Sequence, residues 1–523
     1  MKKKQIGALA LAVLATFPTL SFLTGCNSDG EIVLRVYNWE EYIDEGGEGS
    51  YEADYEINED GSAPSVIEDF EEWYEETYNT PIRVEYSTFG TNEDMYNQLK
   101  LGNEYDLLCP SDYMIMKLAA EDYLQPYTED FFDPSIEENY YIRNVSPYIR
   151  EMFDSNRINK EDPEDDSTWS DYAAGYMWGV TGFTYNPEYV NEEDLAALGW
   201  EIMTAPEYKN KVTTKDNVRD SYFVALGIVY KDEIAALDKT AADYNAKLTE
   251  IMNRTDDETI EKVEEVMREM DKNIYGYETD TGKADIVNGR IWLNFAWSGD
   301  AVYAMDLAEA GEDEDGNATG SAYLNFFIPE ECANLWFDGW VMPKGANTQA
   351  AQAFVNFLSM PENAVRNMYY IGYSGVIAGQ EVFDYVMDTY SVDPAEYDNA
   401  EDYTLYDLEY FFGDTVENAT FYADTEQATK RQLYTHYPPE EVTYRCAVMD
   451  YYGEEANENI NELWSRIKGE TLEPWAIAVI CVGIALVVAG VLLAKFGGKI
   501  DFFRLPPKKG YKLVRQETAK RDK

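Results

Sequence analysis

Histidine is nearly absent from this chain of 523 residues, which contains only His436. Metal sites built from imidazole groups need several histidines, so a single one does not supply the usual set of ligands. The segment closest to a serine nucleophile motif, Gly372-Tyr373-Ser374-Gly375, lacks the required spacing. The sequence therefore argues against histidine-based metal chemistry and against Ser-His-Asp hydrolysis.

Basic residues are also scarce, with 41 Lys and Arg against 100 Asp and Glu, which gives a formal net charge of −59. Nucleic-acid binding requires basic patches, so this balance excludes nucleic acid as a partner. The acidic surface attracts cations, although salt screens that attraction beyond about 8 Å. A surface adapted for solubility or salt remains an alternative explanation of the charge.

Cysteine is infrequent, with five residues in the chain. Cys26 and Cys481 lie in or beside apolar segments, which leaves Cys109, Cys332 and Cys446. This odd number without metal-ligand spacing predicts buried free thiols, with one disulfide as the alternative. We expect neither a bound metal nor a cofactor.

The N-terminus has the pattern of an export signal. Lys2, Lys3 and Lys4 precede an apolar run that ends in Leu23-Thr24-Gly25-Cys26. That ending resembles the lipobox of bacterial lipoproteins, whose cysteine carries a diacylglyceryl group. The sequence therefore predicts a signal peptide over residues 1–25 and lipidation at Cys26.

The C-terminus has the pattern of a membrane anchor. Residues 475–494 carry no charge, and this length is close to the roughly 20 residues needed to cross a bilayer. The segment after it is rich in Lys and Arg, which places the C-terminus in the cytoplasm by the positive-inside rule. We predict a transmembrane helix over 475–496, a basic cytoplasmic tail over 497–523, and a main body exposed on the extracellular face of the cell membrane.

Between these segments, strand-like and helix-like runs alternate, which is typical of an α/β fold with mostly parallel sheets covered by helices. The length is ample for two lobes. The predicted strands are Ile32–Tyr37, Ile82–Tyr86, Asp106–Cys109, Val180–Tyr185, Ile291–Phe295 and Gly339–Met342. The predicted helices are Ser65–Thr77, Glu93–Leu101, Asp112–Glu121, Ser221–Val229, Thr259–Lys272, Asp300–Glu309, Thr348–Ser359 and Glu454–Lys468.

Aromatic residues stand close to carboxylates at several predicted strand ends. Aromatic faces attract ammonium groups, and carboxylates accept charge-assisted hydrogen bonds from them. Ligands of open α/β sheets gather at the carboxyl ends of strands. These positions therefore predict a site for an organic cation, the alternative for each aromatic ring being ordinary packing. The segments are Trp39-Glu40-Glu41-Tyr42, Ser111-Asp112-Tyr113, Asn217-Val218-Arg219-Asp220, Trp297-Ser298-Gly299-Asp300, Trp336-Phe337-Asp338 and Ile371-Gly372-Tyr373.

Other stretches accompany these segments, namely Tyr86-Ser87-Thr88, Tyr105-Asp106-Leu107, Met177-Trp178-Gly179 and Pro206-Glu207-Tyr208-Lys209. In this combination and order, residues 31–470 resemble the spermidine/putrescine-binding proteins of polyamine ABC importers. The resemblance implies a two-lobed fold like that of periplasmic binding proteins of type II, which closes on its ligand by hinge bending. It implies lobe 1 over 31–181 and 338–382, and lobe 2 over 183–336 and 383–470.

The resemblance also implies the site residues. An aromatic box around the ligand would comprise Trp39, Tyr42, Tyr113, Trp297, Trp336 and Tyr373. Glu41, Asp220, Asp300 and Asp338 would pair with ammonium groups, and Ser111 would accept a hydrogen bond. Asn217 stands where spermidine-binding relatives usually carry Asp, and Glu40 stands in place of a small hydroxyl residue, so both are included as candidates. Whether spermidine or putrescine is preferred stays open.

The implied function is binding without catalysis: capture of a polyamine and its delivery to the permease of an ABC importer. One alternative is the same fold binding another organic cation or small solute. A second is an extracellular hydrolase with paired carboxylates, although Glu40 and Glu41, adjacent on an extended chain, would point to opposite sides. A third is a surface scaffold that binds partners through acidic inserts such as Gly46–Gly61.

Overall fold

The computed structural model of the protein describes residues 30–47, 50, 63–160, 164–309 and 322–470. The chain divides into two units, Met1–Ala456 and Asn457–Lys523. The sheets and all the candidate site residues belong to the first unit. The described part of the second unit, 457–470, is helical.

Thirteen strands occur within the described ranges. They are β1 (Ile32–Trp39), β2 (Ile82–Phe89), β3 (Leu107–Leu108), β4 (Leu124–Gln125), β5 (Ala173–Tyr185), β6 (Val212–Lys215), β7 (Gly276–Glu278), β8 (Leu293–Trp297), β9 (Asn325–Phe327), β10 (Leu335–Pro343), β11 (Ser374–Gly375), β12 (Tyr403–Asp407) and β13 (Thr420–Asp424). The main sheet has the order β2-β1-β3-β10-β5-β8-β6-β7, while β12 and β13 form a separate hairpin-like pair.

Parallel pairs lie on the two sides of this sheet, where β1 pairs with β2 and β3, and β6 pairs with β7 and β8. The central strands β5 and β10 instead pair antiparallel with all their neighbours. The mostly parallel arrangement predicted above is therefore wrong at the centre of the sheet. The two central strands run in opposite directions. Strand β5 leads the chain toward β8, and β10 leads it back toward β3.

Strand β5 serves both halves of the sheet. Its first part pairs with β10, from Ala173 opposite Val341 to Val180 opposite Leu335. Its last part, Thr181–Tyr185, pairs with β8. Every residue of β5 and of β10 is buried, so both strands are covered on both faces. The register of the β5–β10 pair shifts between Asp338 and Gly339, as in a β-bulge, which re-aims a side chain at that point.

The described α-helices surround the strands. They are α1 (Val66–Tyr78), α2 (Asn92–Lys100), α3 (Asp112–Ala120), α4 (Tyr140–Asn144), α5 (Pro147–Ser155), α6 (Trp169–Tyr172), α7 (Glu192–Leu198), α8 (Val218–Val229), α9 (Lys231–Ala235), α10 (Tyr244–Met252), α11 (Asp257–Asn273), α12 (Gly282–Val287), α13 (Ser298–Glu309), α14 (Thr348–Leu358), α15 (Pro361–Ile371), α16 (Gln380–Tyr390), α17 (Glu409–Phe412), α18 (Thr425–Thr429), α19 (Gln432–His436), α20 (Glu440–Thr443) and α21 (Gly453–Glu470).

Local sequence explains where the helices around the site begin. Ser65 and Glu68 form a capping box at the start of α1, in which each side chain accepts a hydrogen bond from the other's backbone N–H. The side chain of Thr91 caps α2, and that of Asn217 caps α8. Each cap satisfies a backbone N–H that would otherwise lack a partner in the first turn.

Two further predictions can be compared with the structure. Cys109, Cys332 and Cys446 are buried free thiols, as predicted. Within the described ranges, no helix has the length and apolar character needed to span a bilayer. The predicted transmembrane helix at 475–496, the tail at 497–523, the signal peptide at 1–25 and the lipid site at Cys26 all lie outside these ranges.

Candidate functional site

The ends of several strands bring the candidate residues to one place. Trp297 ends β8, Asp338 lies at the register shift of β10, and Ser111 precedes α3 just after β3. Contacts described below connect nine predicted residues, which we call the acid–aromatic cluster. They are Tyr42, Ser111, Tyr113, Asp220, Trp297, Asp300, Trp336, Asp338 and Tyr373.

Asp338 is the first centre of the cluster. Tyr42 donates a hydrogen bond from its hydroxyl group to Asp338 Oδ2 at 2.8 Å, and Ser111 forms a β-bridge with Asp338. The ring of Tyr373 lies edge-on to Tyr42 at 5.6 Å and edge-on to Trp336 at 5.6 Å. Tyr42 therefore contacts the carboxyl group directly, and ring contacts connect Tyr42 to Tyr373 and Tyr373 to Trp336.

The carboxyl group of Asp338 is short of partners. Its side chain is 6% exposed, and Oδ1 is buried with no hydrogen-bond partner. Burial raises the pKa of Asp338 to about 6, although hydrogen bonds from Ser111 and Tyr42 lower it in part. A buried carboxylate without compensation is costly, so this position favours a positively charged partner.

Asp220 is the second centre. It lies in the first turn of α8, is 4% exposed, and accepts a side-chain hydrogen bond from Trp297. Burial raises its pKa to about 7, against the opposing effects of Lys215, Trp297 and Arg219. Asp220, like Asp338, is thus a buried carboxyl group whose charge is incompletely compensated.

Arg219 follows the helix cap and stacks between two aromatic rings. Its guanidinium group lies 4.5 Å from the ring centre of Tyr113 and 3.7 Å from that of Tyr452. Tyr113 also accepts a hydrogen bond from Asn92 at 3.1 Å, and the same amide group donates to Ser111 at 3.1 Å. Arg219 and Asn92 therefore hold Tyr113 in position within the cluster.

Asp300 is the third centre, and unlike the others it is fully paired. Lys215 Nζ lies 3.0 Å from Oδ2, Lys283 Nζ lies 3.5 Å from Oδ1, and the Tyr373 hydroxyl group donates to Oδ1 at 3.0 Å. Burial acts to raise the pKa of Asp300, but Lys215 and Lys283 outweigh it and the pKa falls below its ordinary value. Tyr373 joins this centre to Asp338.

Lys215 and Glu278 are residues that sequence reasoning missed. Lys215 ends β6, and its Nζ lies 3.2 Å from Glu278 Oε1 and 4.3 Å from the ring centre of Trp297. The only sign of Lys215 in the sequence is its position. It ends a short run of β-branched residues just before the Asn217–Asp220 segment, which is predicted to bind the ligand. Nothing in the sequence distinguishes it from a surface lysine.

The remaining predicted residues lie outside these contacts. Glu40 and Glu41 are exposed in the turn after β1, where Glu41 has a φ of 54°. Trp39 packs on Phe89, its register partner in β2, at 4.6 Å between ring centres. Asn217 uses its side-chain oxygen to accept the N–H of Arg219 at 2.8 Å.

The chemistry available to this cluster is the binding of cations. It presents buried carboxyl groups beside aromatic faces, the two groups that recognise ammonium. Within the described ranges, no group of His, Cys, Asp and Glu side chains is arranged to hold a metal ion. The imidazole ring of His436, the single histidine, donates from Nε2 to the carbonyl of Gly372 at 3.1 Å and forms a hydrogen bond through Nδ1 with the Tyr390 hydroxyl group at 3.1 Å.

Comparison with known proteins identifies the family of the chain. Residues 65–395 match the family described as bacterial extracellular solute-binding protein. The chain belongs to this family. Its members are transport proteins that bind solutes.

Two curated relatives of this solute-binding protein are named for polyamines. The spermidine/putrescine-binding periplasmic protein of Salmonella typhimurium is 27% identical over 377 residues, which cover 71% of this chain and 84% of the relative. The putrescine-binding periplasmic protein SpuD of Pseudomonas aeruginosa is 25% identical over 335 residues, which cover 63% of this chain and 74% of the relative.

Among solved structures, the spermidine/putrescine substrate-binding protein PotD of Streptococcus pneumoniae superposes with a TM-score of 0.50 at 23% identity. The match covers 84% of this chain and 98% of PotD. This likeness shows the fold of the solute-binding protein, which is the two-lobed, mixed α/β fold of periplasmic binding proteins. The fold class predicted from the sequence is confirmed to that extent.

Proposed function

We propose that this solute-binding protein captures a polyamine, spermidine or putrescine, in a cleft between its lobes and delivers it to the permease of an ABC importer. The observation that carries the proposal is the acid–aromatic cluster, in which Asp338 and Asp220 are buried beside Tyr42, Trp297 and other rings. A polyamine is a flexible apolar chain with charged ends, and it suits rings along its length and carboxylates at its ends. The polyamine names of the relatives support the same assignment.

The proposal is binding without catalysis, and it retains the predicted ligand residues and lobe bounds. Lobe 1 would comprise 31–181 and 338–382, and lobe 2 would comprise 183–336 and 383–470. The proposed line between them, at residue 182, lies within β5 and close to the change of pairing from β10 at Val180 to β8 at Thr181. A shared strand of this kind suits a hinge, because small changes in its backbone angles rotate one half against the other.

Isothermal titration calorimetry of the purified full-length protein tests the proposal. We expect saturable binding of putrescine or spermidine, and no binding of betaine or a neutral sugar. Asp338→Asn and Trp297→Ala should each weaken polyamine binding by more than about tenfold, which corresponds to about 1.4 kcal/mol.

Two matched variants serve as controls for these measurements. Asp154→Asn removes an exposed carboxylate that pairs with Arg150, and Trp292→Ala removes a half-buried ring that stacks on Tyr189. Neither residue belongs to the cluster, so both variants should bind polyamine as the wild type does. Unchanged affinity in both Asp338→Asn and Trp297→Ala would remove the proposed site.

We further propose that the protein is held at the outer face of the cell membrane by a lipid on Cys26 and by a helix over 475–496, with its C-terminus in the cytoplasm. The support is the sequence pattern at the two ends of the chain. Labelling cells with radioactive fatty acid should mark the wild type and not Cys26→Ser. Removal of residues 475–523 should reduce copurification with the permease if the helix docks there.

A further inference from the structure

The ammonium group of Lys215 lies inside the cluster rather than at its edge. Its side chain is 1% exposed, and Nζ has three oxygen neighbours: Asp300 Oδ2 at 3.0 Å, Glu278 Oε1 at 3.2 Å and the carbonyl of Thr279 at 3.0 Å. An ammonium group has three donors, so these oxygens satisfy all of them. The face of Trp297, 4.3 Å away, completes the surroundings.

These partners keep Lys215 charged. Burial acts to lower its pKa, but Asp300 and Glu278 outweigh burial and the pKa lies above its ordinary value. Two carboxylates, a carbonyl oxygen and an indole face are also the partners that a bound organic ammonium group would need. The protein therefore supplies from its own chain a cation of the kind it is proposed to bind.

The three acidic centres, Asp300, Asp338 and Asp220, differ in how many partners their carboxyl oxygens have, and Lys215 contributes to this difference. Both oxygens of Asp300 have partners, through Lys215 on one side and through Lys283 and Tyr373 on the other. By contrast, Asp338 Oδ1 and Asp112 Oδ2 are buried oxygens with no hydrogen-bond partner, and Asp220 is buried with 4% exposure. The place beside Asp300 and Trp297 is therefore already occupied by a cation of the protein itself.

We propose that Lys215 occupies one ammonium position of the site, so that the protein selects a diamine such as putrescine over a triamine such as spermidine. The inference rests on the proposed function and names its substrate class. A third ammonium group directed at Asp300 or Trp297 would meet the positive charge of Lys215, which lies at hydrogen-bond distance from the same carboxylate. Like charges in a water-poor site repel strongly.

Calorimetric titrations with putrescine and spermidine test this selection. The wild type should bind putrescine at least about tenfold more tightly than spermidine, a difference of about 1.4 kcal/mol. Lys215→Met removes the internal cation and should shift the affinity ratio toward spermidine by about tenfold or more. Lys211→Met is the matched control, because Lys211 immediately precedes the first residue of β6 and its ammonium group lies over the ring of Trp292 at 4.8 Å, outside the cluster.

A second variant controls for the possibility that Lys215→Met destabilises the folded protein. Lys215→Met leaves Asp300 and Glu278 with fewer cations, so the double variant Lys215→Met/Glu278→Gln removes one carboxyl charge together with the ammonium group. The double variant should show the same shift of the ratio toward spermidine. Circular dichroism on each variant verifies that the protein is folded.

The outcomes separate the inference from the function on which it rests. If the wild type binds spermidine as tightly as putrescine, or if the ratio is unchanged in folded Lys215 variants, Lys215 does not set the selection and the inference is wrong while polyamine binding stands. If the wild type binds neither amine, the proposed function is overturned and the inference falls with it.

Discussion

The pKa values of individual buried carboxyl groups in this site depend on which side chains lie beside each group. Asp338 shares one oxygen with Tyr42 and leaves the other unpaired, while Asp300 is saturated by Lys215, Lys283 and Tyr373. The same residue type therefore has opposite pKa shifts in one cluster. The cause is the presence of a nearby cation in one case and its absence in the other.

The pKa values predict a dependence of polyamine binding on pH. Burial raises the pKa of Asp338 to about 6 and that of Asp220 to about 7, above the 3.8 ordinary for this group. A bound ammonium group favours the charged carboxylate, so binding must release protons when the pH is near or below these values. Polyamine affinity should therefore rise between about pH 5 and about pH 8, by up to about tenfold per unit for each group.

The same pKa shifts determine whether the folding stability of the protein rises or falls with pH. Because folding raises these two pKa values, their stabilising contribution is complete below the unfolded value near 3.8 and is lost as pH rises through about 6 and about 7. At saturating putrescine, the ammonium groups of the ligand stabilise the charged carboxylates, so this loss of stability with rising pH should disappear. Calorimetry in buffers of different ionisation enthalpy counts the released protons, and a pH-independent affinity would contradict the prediction. Asp338→Asn should flatten the profile.

The residues of the site could be predicted only in part. Aromatic–acid pairs at strand ends and a family resemblance indicated Asp338, Trp297 and Tyr373, all of which belong to the acid–aromatic cluster of the structure. Lys215 and Glu278 could not be predicted, because a charged side chain gives no sign in the sequence that a distant partner will bury it. Their pairing joins residues 63 positions apart and depends on the parallel register of β6 and β7.

At the level of secondary structure elements, the limits of prediction lie in the central strands. The sequence predicts a strand over Val180–Tyr185, whereas β5 begins at Ala173. The added part, Ala173–Gly179, combines alanines and glycines, which are depleted in strands, with Tyr176 and Trp178, which favour them, so its own strand propensity is mixed. It becomes a strand because β10 pairs with it, and β10 likewise begins before the predicted Gly339, at Leu335.

The close approach of β5 to the site gives a second prediction. A Cβ atom at Gly179 would lie 2.2 Å from Ser298 Oγ and 2.7 Å from Trp336 Cζ2. Gly179→Ala should therefore displace the Trp336 ring, weaken putrescine binding, and lower the free energy of unfolding by about 1–3 kcal/mol. Denaturation and calorimetry would measure the two effects.

A glycine in an open position provides the control. Gly276→Ala in β7 has no atom within 4 Å of the new Cβ, so it should leave binding and stability close to those of the wild type. Equal behaviour of Gly179→Ala and Gly276→Ala would show that the contact with Trp336 does not matter for binding.

Helix α8 gives a third prediction, because Asn217 caps it while the family resemblance also assigns it to the ligand. The cap bond to the Arg219 N–H is 2.8 Å long. Asn217→Ala should lower stability by about 1 kcal/mol, and Asn217→Ser should retain the cap and the stability. Chemical denaturation measures this difference, and equal stability of the Ala and Ser variants would contradict the capping role. Weaker amine binding by the Ser variant would reveal the ligand contact.

At the scale of the whole molecule, the fold joins parts of the chain that are far apart in sequence. Arg366, in α15, is fully buried and pairs with Asp44 and Asp69 at 2.5 Å each, across about 300 residues of chain. It also donates to the carbonyl of Pro64, just before α1. This ion-pair group therefore joins α15 to α1 and to the chain before it.

Removal of this arginine gives a fourth prediction. Arg366→Met leaves the fully buried carboxylate of Asp44 without its cation, so it should lower the free energy of unfolding by about 3–5 kcal/mol. Arg150→Met, which breaks an exposed pair with Asp154, should cost no more than about 1 kcal/mol. Urea denaturation followed by tryptophan fluorescence compares them, and similar losses in both variants would argue against a structural role for the buried pair.

The buried thiols have a practical consequence for observing how the lobes move. Cys109, Cys332 and Cys446 are each no more than 1% exposed, so none of them offers a dye an accessible sulfur. New cysteines at exposed positions, such as Leu101 and Tyr189, would therefore react with maleimides far faster than these three. Energy transfer between a donor and an acceptor placed there would test whether the proposed lobes close around the amine, with the native interior left unchanged.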